Sequence, residues 1–292
     1  MQVRFIIIMP MSKLYLLSLL AFAWLLPLAT DAHQPQYVAE RTVVAVEEPE
    51  VSKAYYGNLN GQPATYTIDA DEPFDLYAGL IVPVGAVAET DFVLEIVAPN
   101  DETLFSESRA APWPVFHEEF ANDNYYDGPE FWLPNAPAGL YVIRVSSPDN
   151  RGQYVLAVGK KEVFAPADVV SALRVIPQLK SDFFNKSGFS FAASVFGAPL
   201  VVLTVIFGAL IGFVYRRILK RFKRSAKQLH TAHKNIGTAD RIIRLVLGLM
   251  LLVAGIYFWR LGLMAAAGFV FYEAASRWCV LYSAIGRNTC QL

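Results

Sequence analysis

Two cysteines lie close to the C-terminus, in the stretch RWCVLYSAIGRNTC that follows a long apolar run. Cys279 and Cys290 are the only cysteines of the chain and stand eleven positions apart. Two thiols at this spacing could form a disulfide, bind a metal, act as a redox pair or pack in a core. The choice depends on the compartment, because disulfides persist outside the cytoplasm and thiols stay reduced inside it.

Glu273 is a second candidate, since it is a carboxylate within the apolar run that precedes Cys279. An ionisable side chain inside a membrane span is costly and is by default a functional candidate. We expect Glu273 near the bilayer midplane, with Arg277, one helical turn later, as its partner. Three interpretations stay open: a packing or oligomer contact with Arg277, a proton or ion pathway, or a helix that ends nearer to Glu273.

A third candidate is the stretch WPVFHEEFANDNYYDGPEFW, residues 113–132, which combines seven aromatic side chains with acidic ones. We expect a long loop that is a ligand or partner surface, a calcium site built from carboxylates, or an ordinary loop with buried aromatic residues. The EF-hand pattern fails, because Tyr125 stands where that loop needs Asp or Asn. The candidate binding residues are Trp113, Glu118, Glu119, Tyr125, Tyr126, Asp127 and Trp132.

The sequence shows no other catalytic constellation. His33 follows the predicted cleavage site and His117 lies in the acidic stretch 113–132, whereas His230 and His233 lie three positions apart without a nearby cysteine or carboxylate. Two ligands do not make a metal site. The motifs of phosphate loops, nucleophile elbows and metalloprotease helices are missing from the sequence. We therefore expect a protein that is not an enzyme and that has no metal and no cofactor.

The charge is distributed unevenly along the chain. Residues 33–188 contain 23 acidic and 10 basic residues, whereas residues 189–292 contain 2 acidic and 13 basic ones. The formal net charge of −1 therefore combines an acidic half with a basic, apolar half. Such an asymmetry indicates a bilayer between the two halves.

Export and membrane signals support this arrangement. The first 32 residues have the basic start, apolar core and small-residue cleavage site of a signal peptide, with an uncleaved anchor as the alternative and Met1 or Met11 as the start. Residues 189–215 are uncharged and long enough to span a bilayer. The basic run RRILKRFKRSAK follows at once. Directly after a span, such a run indicates the cytoplasmic side rather than a nucleic-acid surface.

Two further spans are predicted over residues 242–259 and 263–282. Only three residues separate them, so they form an antiparallel hairpin. Counted from the cytoplasmic linker, the chain crosses outward and returns. Both cysteines then lie on the reducing side, where we do not expect a structural disulfide.

The hairpin and its flanks resemble the YgaP-like transmembrane domain, a bacterial inner-membrane hairpin family. The residues that carry the resemblance at the entry are Asn235, Ile236, Gly237, Asp240, Arg241 and Arg244, and those at the exit are Cys279, Leu281, Tyr282, Gly286, Asn288, Thr289 and Cys290. Val280 stands where the family usually has proline. The resemblance implies a membrane hairpin, in some members fused to a rhodanese domain that this sequence lacks. The exit motif is then either a cap that turns the chain or a reactive pair.

The region after the signal peptide has the pattern of a β-sandwich. Short segments that favour strands recur between turn residues: TYTID, FDLYAGLIV, DFVLEIVAP, LYVIRVSSP and QYVLAVG. We expect the last two to form a hairpin. The segments DFVLEIVAPNDETLF and LPNAPAGLYVIRVSSPDNRGQYVLAVG are similar to bacterial pre-peptidase C-terminal domains, which implies a small accessory domain that binds rather than catalyses. An amphipathic helix is predicted over residues 166–175, ended by Pro177.

The predicted fold class is an all-β sandwich, exported, followed by transmembrane α-helices. The predicted segments are a signal peptide (1–32), the sandwich (33–160), a juxtamembrane stalk (161–188), a single span (189–215), a basic cytoplasmic linker (216–234) and the YgaP-like hairpin (235–292).

We expect a multi-pass inner-membrane protein with a cytoplasmic C-terminus, acting as a sensor, scaffold or accessory subunit. The alternatives are a thiol-handling component that uses Cys279 and Cys290, and a small oligomeric ion transporter built around Glu273. The expected partners are the lipid bilayer, an envelope protein or small ligand at the sandwich, and a second copy through the hairpin. Nucleic acid is not expected.

Overall fold

The computed structural model describes residues 33–85, 91–108, 112–118, 122–163, 166–223, 234–285 and 288–289. The predicted signal peptide lies outside these ranges, as do Glu119, His230, His233 and Cys290. Within the described ranges the chain forms strands first and helices afterwards, as the sequence predicts.

The strands belong to two facing sheets. The larger sheet has the order β1-β3-β11-β5-β9-β8 and the smaller one β2-β4-β10-β6-β7. Two edge strands are parallel to their neighbours, β1 to β3 and β2 to β4, and the other pairs are antiparallel. The strands of the described ranges are β1 Gln34–Ala39, β2 Val43–Ala45, β3 Lys53–Asn60, β4 Ala64–Ala70, β5 Phe74–Pro83, β6 Val93–Val97, β7 Thr103–Glu107, β8 Val115–Glu118, β9 Asp123–Ala136, β10 Gly139–Ser146 and β11 Arg151–Val158.

The core of the sandwich lies between the two sheets. Alternate side chains of each strand point inward, because successive residues of a strand face opposite sides of the sheet. Ile68, Leu76, Leu94 and Ile143 are completely buried there. The hydroxyl groups of Tyr66 and Tyr154 meet at 2.9 Å in the same core. The predicted β-sandwich is therefore confirmed.

The stretch 113–132 is not the long loop that the sequence predicts. It forms β8 and most of β9, and β9 pairs with β5 along its length. Pro129 and Pro134 obscured this strand, because proline cannot donate to a strand ladder. Both fall where the register between β5 and β9 shifts, at Gly79/Ile81 and at Phe74/Leu76.

The prediction of a hairpin between β10 and β11 is wrong. These strands follow each other in sequence but lie in opposite sheets. In the connecting turn, the N–H of Arg151 donates to Ser147 Oγ at 3.1 Å and to Asp149 Oδ1 at 3.0 Å. The turn residues specify a reversal of the chain, but they do not specify which strand becomes the neighbour.

Helices follow the sandwich. We number them α1 Pro166–Gln178, α2 Gly188–Ala192, α3 Gly197–Lys223, α4 Thr238–Tyr257, α5 Leu261–Ser276 and α6 Val280–Ile285. Helix α1 does not end before Pro177 as predicted, but includes it and continues into a π-helical turn, Leu179–Phe183. Pro177 removes one helical hydrogen bond. The π-helical turn, which is wider than an α-helical one, follows shortly after it.

The predicted span 189–215 is divided in the structure. Helix α2 ends at Ala192, and α3 begins at Gly197, where Ser194 Oγ accepts the Gly197 N–H at 2.9 Å. A Cβ at Gly197 would overlap the backbone of Phe191, so the chain turns tightly here. Among the described residues, the segment Gly197–Leu219 of α3 is long and apolar enough to cross a membrane.

The predicted hairpin is present as α4 and α5, joined through Phe258–Arg260. Its helices differ from the predicted spans, because α4 starts four residues earlier and α5 ends at Ser276. Arg277 adopts the left-handed conformation (φ 52°) that commonly ends a helix. The short helix α6 then begins at Val280.

Candidate functional site

The exit and entry motifs of the hairpin come together around Asn235. Its Oδ1 accepts the backbone N–H of Cys279 at 2.7 Å, and its Nδ2 donates to the Cys279 carbonyl and to Ser283 Oγ, each at 3.1 Å. The Asn235 N–H donates to the Arg277 carbonyl at 2.9 Å. Asn235 is buried. One amide side chain thus joins the chain before α4 to the chain after α5.

Thr289 caps the start of α4 from more than fifty residues away. Its Oγ1 accepts the Gly237 N–H at 3.1 Å and its hydroxyl donates to the Asp240 carboxylate. Gly237 occupies the cap position of α4 and has no side chain that could cap the helix itself. Asn235 of the entry motif and Thr289 of the exit motif therefore join the start of α4 to the chain after α5.

Glu273 lies in the last turn of α5, which matches the third interpretation, a helix that ends nearer to Glu273 than the span predicted over residues 263–282. Its Oε1 accepts the Val280 N–H at 2.8 Å, and its Oε2 lies 3.8 Å from Arg244 Nε. Arg244 of α4, rather than the expected Arg277, therefore provides the opposing charge. Val280 can donate to Glu273 only because it is not proline, the residue usual at this position in the resembling family.

Cys279 is the cysteine that lies within the described residues. Cys279 is 1% exposed and its backbone is held by Asn235. Cys290 lies outside the described residues, so the predicted pair of thiols is represented here by Cys279 alone. A thiolate must be accessible to act as a nucleophile or a metal ligand. The burial of the Cys279 side chain therefore does not favour either role.

Small residues set the spacing of the membrane helices. Gly248 and Gly255 of α4 face Phe271 and Met264 of α5. Gly268 of α5, however, faces Val205 of α3, and a Cβ there would overlap the Val205 carbonyl oxygen. Helix α5 therefore packs between α3 and α4. Close backbone approach at small residues is typical of membrane helices.

The junction between sandwich and stalk contains an ion cluster that the sequence analysis missed. Asp123 of β9 is 1% exposed, and its Oδ2 lies 2.5 Å from Nζ of Lys180, which is also almost fully buried. Its Oδ1 lies 2.9 Å from Nζ of the half-exposed Lys186. We call these three residues the Asp123 junction. Burial lowers the pKa of Lys180, and the Asp123 carboxylate opposes that change.

Aromatic side chains surround the Asp123 junction. Phe183 and Phe184 of the stalk meet Tyr56 of β3 edge to face, with ring centroids 5.4 Å and 6.2 Å apart. The ammonium groups of Lys180 and Lys186 lie over the Phe184 ring at 5.2 Å and 5.4 Å. A buried ion pair needs such geometry, because desolvation of two charges is costly. The stalk is thus packed on the outer face of the larger sheet.

The other side of the stalk packs against the hairpin. Ile176 of α1 belongs to one buried cluster with Phe191 of α2, Trp259 of the hairpin turn and Met264 of α5. The Phe191 and Trp259 rings lie 4.7 Å apart. A Cβ at Gly188 would overlap the Ile256 carbonyl oxygen. The segment 166–192 therefore contacts the sandwich and the membrane helices at the same time.

The predicted binding residues of the sandwich do not form one surface. Trp113 and Tyr125 are buried, and Tyr126 packs partly against the core. Asp127 donates its N–H to the Pro114 carbonyl as part of the β8–β9 pairing. Glu118 belongs to β8, on the side of the Asp123 junction, and Glu119 is outside the described residues. Asp123 is not available as a calcium ligand, because its carboxylate already forms ion pairs with two lysines.

Of the described residues in this set, Trp132 is the most exposed, at 59%. It is paired across the strands with Tyr77, and the Lys160 ammonium lies 4.4 Å from the Tyr77 ring and 4.9 Å from the Trp132 ring. A shallow groove of about 250 Å³ surrounds them, lined by Glu50, Asp75, Tyr77, Trp132, Lys160 and Lys161. We call it the Trp132 groove.

The C-terminal part of the chain is similar to a known family of membrane domains. Residues 232–292 match the family model of the inner membrane protein YgaP-like transmembrane domain. No curated protein sequence matches the chain. The match and the apolar helix α3 together make this chain a membrane protein.

Among solved structures, the chain is similar to the pre-peptidase C-terminal domain of a Bacillus anthracis collagenase, at 11% identity and a TM-score of 0.24, over 44% of this chain and 98% of that one. It is also similar to a β-glucosidase from Kluyveromyces marxianus, at 15% identity and a TM-score of 0.23, over 40% of this chain and 13% of that one. TM-scores this low carry no inference about function, and the sandwich is established by its own strand pairing.

Proposed function

We propose that the protein is a membrane-anchored binding protein without catalytic activity. Its sandwich binds a ligand or protein partner outside the cytoplasm. The stalk transmits the conformational change caused by binding to the membrane helices. The observation that carries this proposal is the double packing of the segment 166–192. It is held to the sandwich at the Asp123 junction and to the hairpin through Ile176, Phe191 and Trp259.

The Trp132 groove is the surface that we assign to the ligand or partner. Exposed aromatic side chains beside charged groups are typical of recognition surfaces. The groove lies on β9, the same strand that carries Asp123 at its other end. A partner that moves β9 would therefore act on a strand that holds the stalk.

The orientation that we propose puts the sandwich outside and the C-terminus in the cytoplasm. The hairpin turn at Trp259 packs against the stalk, on the sandwich side, and the Arg216–Arg217 pair lies at the other end of α3. Basic residues next to a span favour the cytoplasmic side. An impermeant maleimide should label Cys substituted for Trp132 in intact spheroplasts, and Cys substituted for Leu281 only after lysis.

The two alternatives receive less support from the geometry. A thiol-handling role needs an accessible thiol, whereas Cys279 is buried. An ion pathway through Glu273 needs a carboxylate free to exchange a proton or an ion. Both of its oxygens already face a donor or a cation, Val280 N–H and Arg244.

Site-specific photocrosslinking in native membranes tests the proposal. A benzophenone amino acid replaces Trp132 in the full-length protein, and Leu140 on the other sheet, 50% exposed, serves as the matched control position. We expect one specific adduct from position 132 that is lost when Tyr77 is changed to Ala. The same adduct from position 140, no adduct at all, or hydrolysis of peptides or glycans by the purified protein would each contradict the proposal.

A further inference from the structure

The membrane helices have an arginine-rich end opposite the sandwich. Helix α3 runs parallel to α5, since Val205 faces Gly268 and Gly212 faces Tyr272. Helix α4 runs antiparallel to α5, because Met264 faces Gly255 and Glu273 faces Arg244. These registers place Arg216 of α3 and Arg244 of α4 at the same level, on the two sides of the C-terminal end of α5.

Arg216 and Arg244 are stacked on aromatic rings that follow α5 in the chain, whereas Arg217 lies over a ring of its own helix. The guanidinium carbon of Arg216 lies 5.3 Å from the centroid of Trp278, and that of Arg244 lies 5.2 Å from the centroid of Tyr282. Stacking occupies the face of the guanidinium plane and leaves its N–H groups along the edge for hydrogen bonds. Since Trp278 is buried, the position of Arg216 is fixed by the fold.

Three arginines at this end have an unsatisfied donor. The Nε atoms of Arg216, Arg241 and Arg244 are shielded from solvent, and none has a hydrogen-bond partner among the described residues. Glu273 Oε2 lies 3.8 Å from the Arg244 Nε, too far for a hydrogen bond. A buried donor without an acceptor is costly. Acceptor oxygens from outside the described chain would remove that cost.

The net positive charge at this end of the helices also favours binding of an anion. The carboxylates of Asp240 and Glu273 already accept hydrogen bonds from Thr289 and Val280. Among the side chains that the structure describes at this end, the arginines outnumber these two carboxylates: Arg216, Arg217, Arg241, Arg244 and Arg277. The end therefore carries an excess of positive charge with donors oriented by the fold.

We propose that this end of the helices binds the phosphodiester of an anionic phospholipid, with Arg216, Arg241 and Arg244 as its ligands. Guanidinium groups match phosphate oxygens with paired hydrogen bonds, and basic sites between membrane helices bind anionic headgroups. Exposed apolar side chains such as Phe207 and Leu249 cover the outer faces of α3 and α4, where acyl chains would lie. The proposal is independent of any ligand at the sandwich.

Lipid titration of the purified full-length protein in a neutral detergent tests this site. Native mass spectrometry measures binding of phosphatidylglycerol, of phosphatidylcholine and of inorganic phosphate. We expect phosphatidylglycerol to bind at least about tenfold more tightly than phosphatidylcholine, as two guanidinium contacts near a surface allow. Inorganic phosphate at the same concentration should not compete. Equal binding of the two lipids, or full competition by inorganic phosphate, would overturn the lipid site.

Arginine variants distinguish a built site from diffuse surface charge. R216Q and R241Q should each weaken phosphatidylglycerol binding about fivefold, and neither residue belongs to the Glu273 pair. The matched control is R217Q, which removes the same charge from an exposed neighbour of Arg216 and should change binding less than twofold. R216K keeps the charge and should fold normally. It should still bind phosphatidylglycerol less tightly, because lysine lacks the planar guanidinium group. A loss for R217Q equal to that for R216Q would refute the proposal.

Discussion

Single buried residues hold distant segments of the chain together, both at the stalk and in the hairpin. Asp123, Lys180 and Asn235 are all buried polar side chains, and each connects segments that lie far apart in the sequence. Lys180 bonds a residue 57 positions away, and Asn235 bonds residues 44 and 48 positions away. Such residues are costly to bury alone, so removal of one partner has a large effect.

Lys180→Met should destabilise the protein strongly. It leaves the buried Asp123 carboxylate with Lys186 alone, and breaking a buried pair costs about 3 kcal/mol. Chemical denaturation of the full-length protein in detergent, followed by tryptophan fluorescence, measures the change. Lys186→Met is the matched control, because its side chain is 40% exposed and should cost about 1 kcal/mol or less. Equal losses for the two variants would show that burial of Lys180 is unimportant.

Alkaline pH should destabilise the sandwich through its buried tyrosines. Burial raises the pKa of Tyr55 and of Tyr154 to about 12, from an ordinary value near 10. A group whose pKa is higher in the folded state supplies stability that is complete below the unfolded pKa and is lost as pH rises towards the folded one. Stability should therefore fall between about pH 10 and pH 12.

Denaturation curves over this pH range, with absorbance at 295 nm to follow tyrosinate, measure that fall. Tyr154→Phe should flatten it, because one buried phenol is removed. If absorbance rose fully by about pH 10.5 while the protein stayed folded, the buried state of these tyrosines would be wrong.

Val280→Pro should weaken the hairpin although proline is acceptable at the first position of a helix. The substitution removes the N–H that bonds Glu273 Oε1, at a cost of about 1 kcal/mol. Unfolding in mixed SDS micelles, followed by circular dichroism, measures the loss. Val280→Ala retains the N–H and is the control; if it unfolded as readily as Val280→Pro, the hydrogen bond would not be the cause.

At the scale of the elements, composition and periodicity predicted more than connectivity. The sandwich, the stalk helix and the hairpin were all predicted, because alternation, amphipathicity and apolar length are local signals. Strand β9 was missed because its prolines occupy bulges that only the pairing with β5 reveals. The neighbours of β10 and β11 were missed because a turn motif does not specify the sheet.

Less of the candidate site was predicted, because the sequence does not show which distant segments become neighbours. The entry and exit motifs were recognised, and their hydrogen bonds explain the types of residue found there. The partner of Glu273 was wrongly assigned to Arg277, because helical spacing ranks a neighbour one turn away above a residue on another helix. The Asp123 junction has no sequence signal, since Asp123 and Lys180 look like ordinary charged residues until β9 and the π-helical turn meet.

The packing of α5 between two helices predicts unequal effects of one substitution at two glycines. Gly268→Ala should destabilise the helices by about 2 kcal/mol, because its Cβ would overlap the Val205 carbonyl oxygen of α3 and backbone cannot rotate away. Gly262→Ala, on the same helix with nothing within 4 Å, should be neutral. Unfolding in mixed SDS micelles compares them, and equal stability would mean that α3 does not pack at Gly268.

At the scale of the whole molecule, the stalk makes the sandwich part of the same folded unit as the membrane helices. The contacts at the Asp123 junction and at Trp259 lie on opposite sides of the segment 166–192. A sandwich on a flexible tether could bind a partner, but it could not pass that event to the membrane. The proposed function therefore depends on a fixed geometry between the two parts.

Electron–electron distance measurement between spin labels tests this fixed geometry most directly. Labels at Leu140 of the sandwich and Gly262 of α5 are placed in the full-length protein in nanodiscs, with Cys279 and Cys290 changed to Ser. We predict one narrow distance distribution that broadens when Lys180 is changed to Met. A broad distribution in the protein with an intact Asp123 junction would contradict the account.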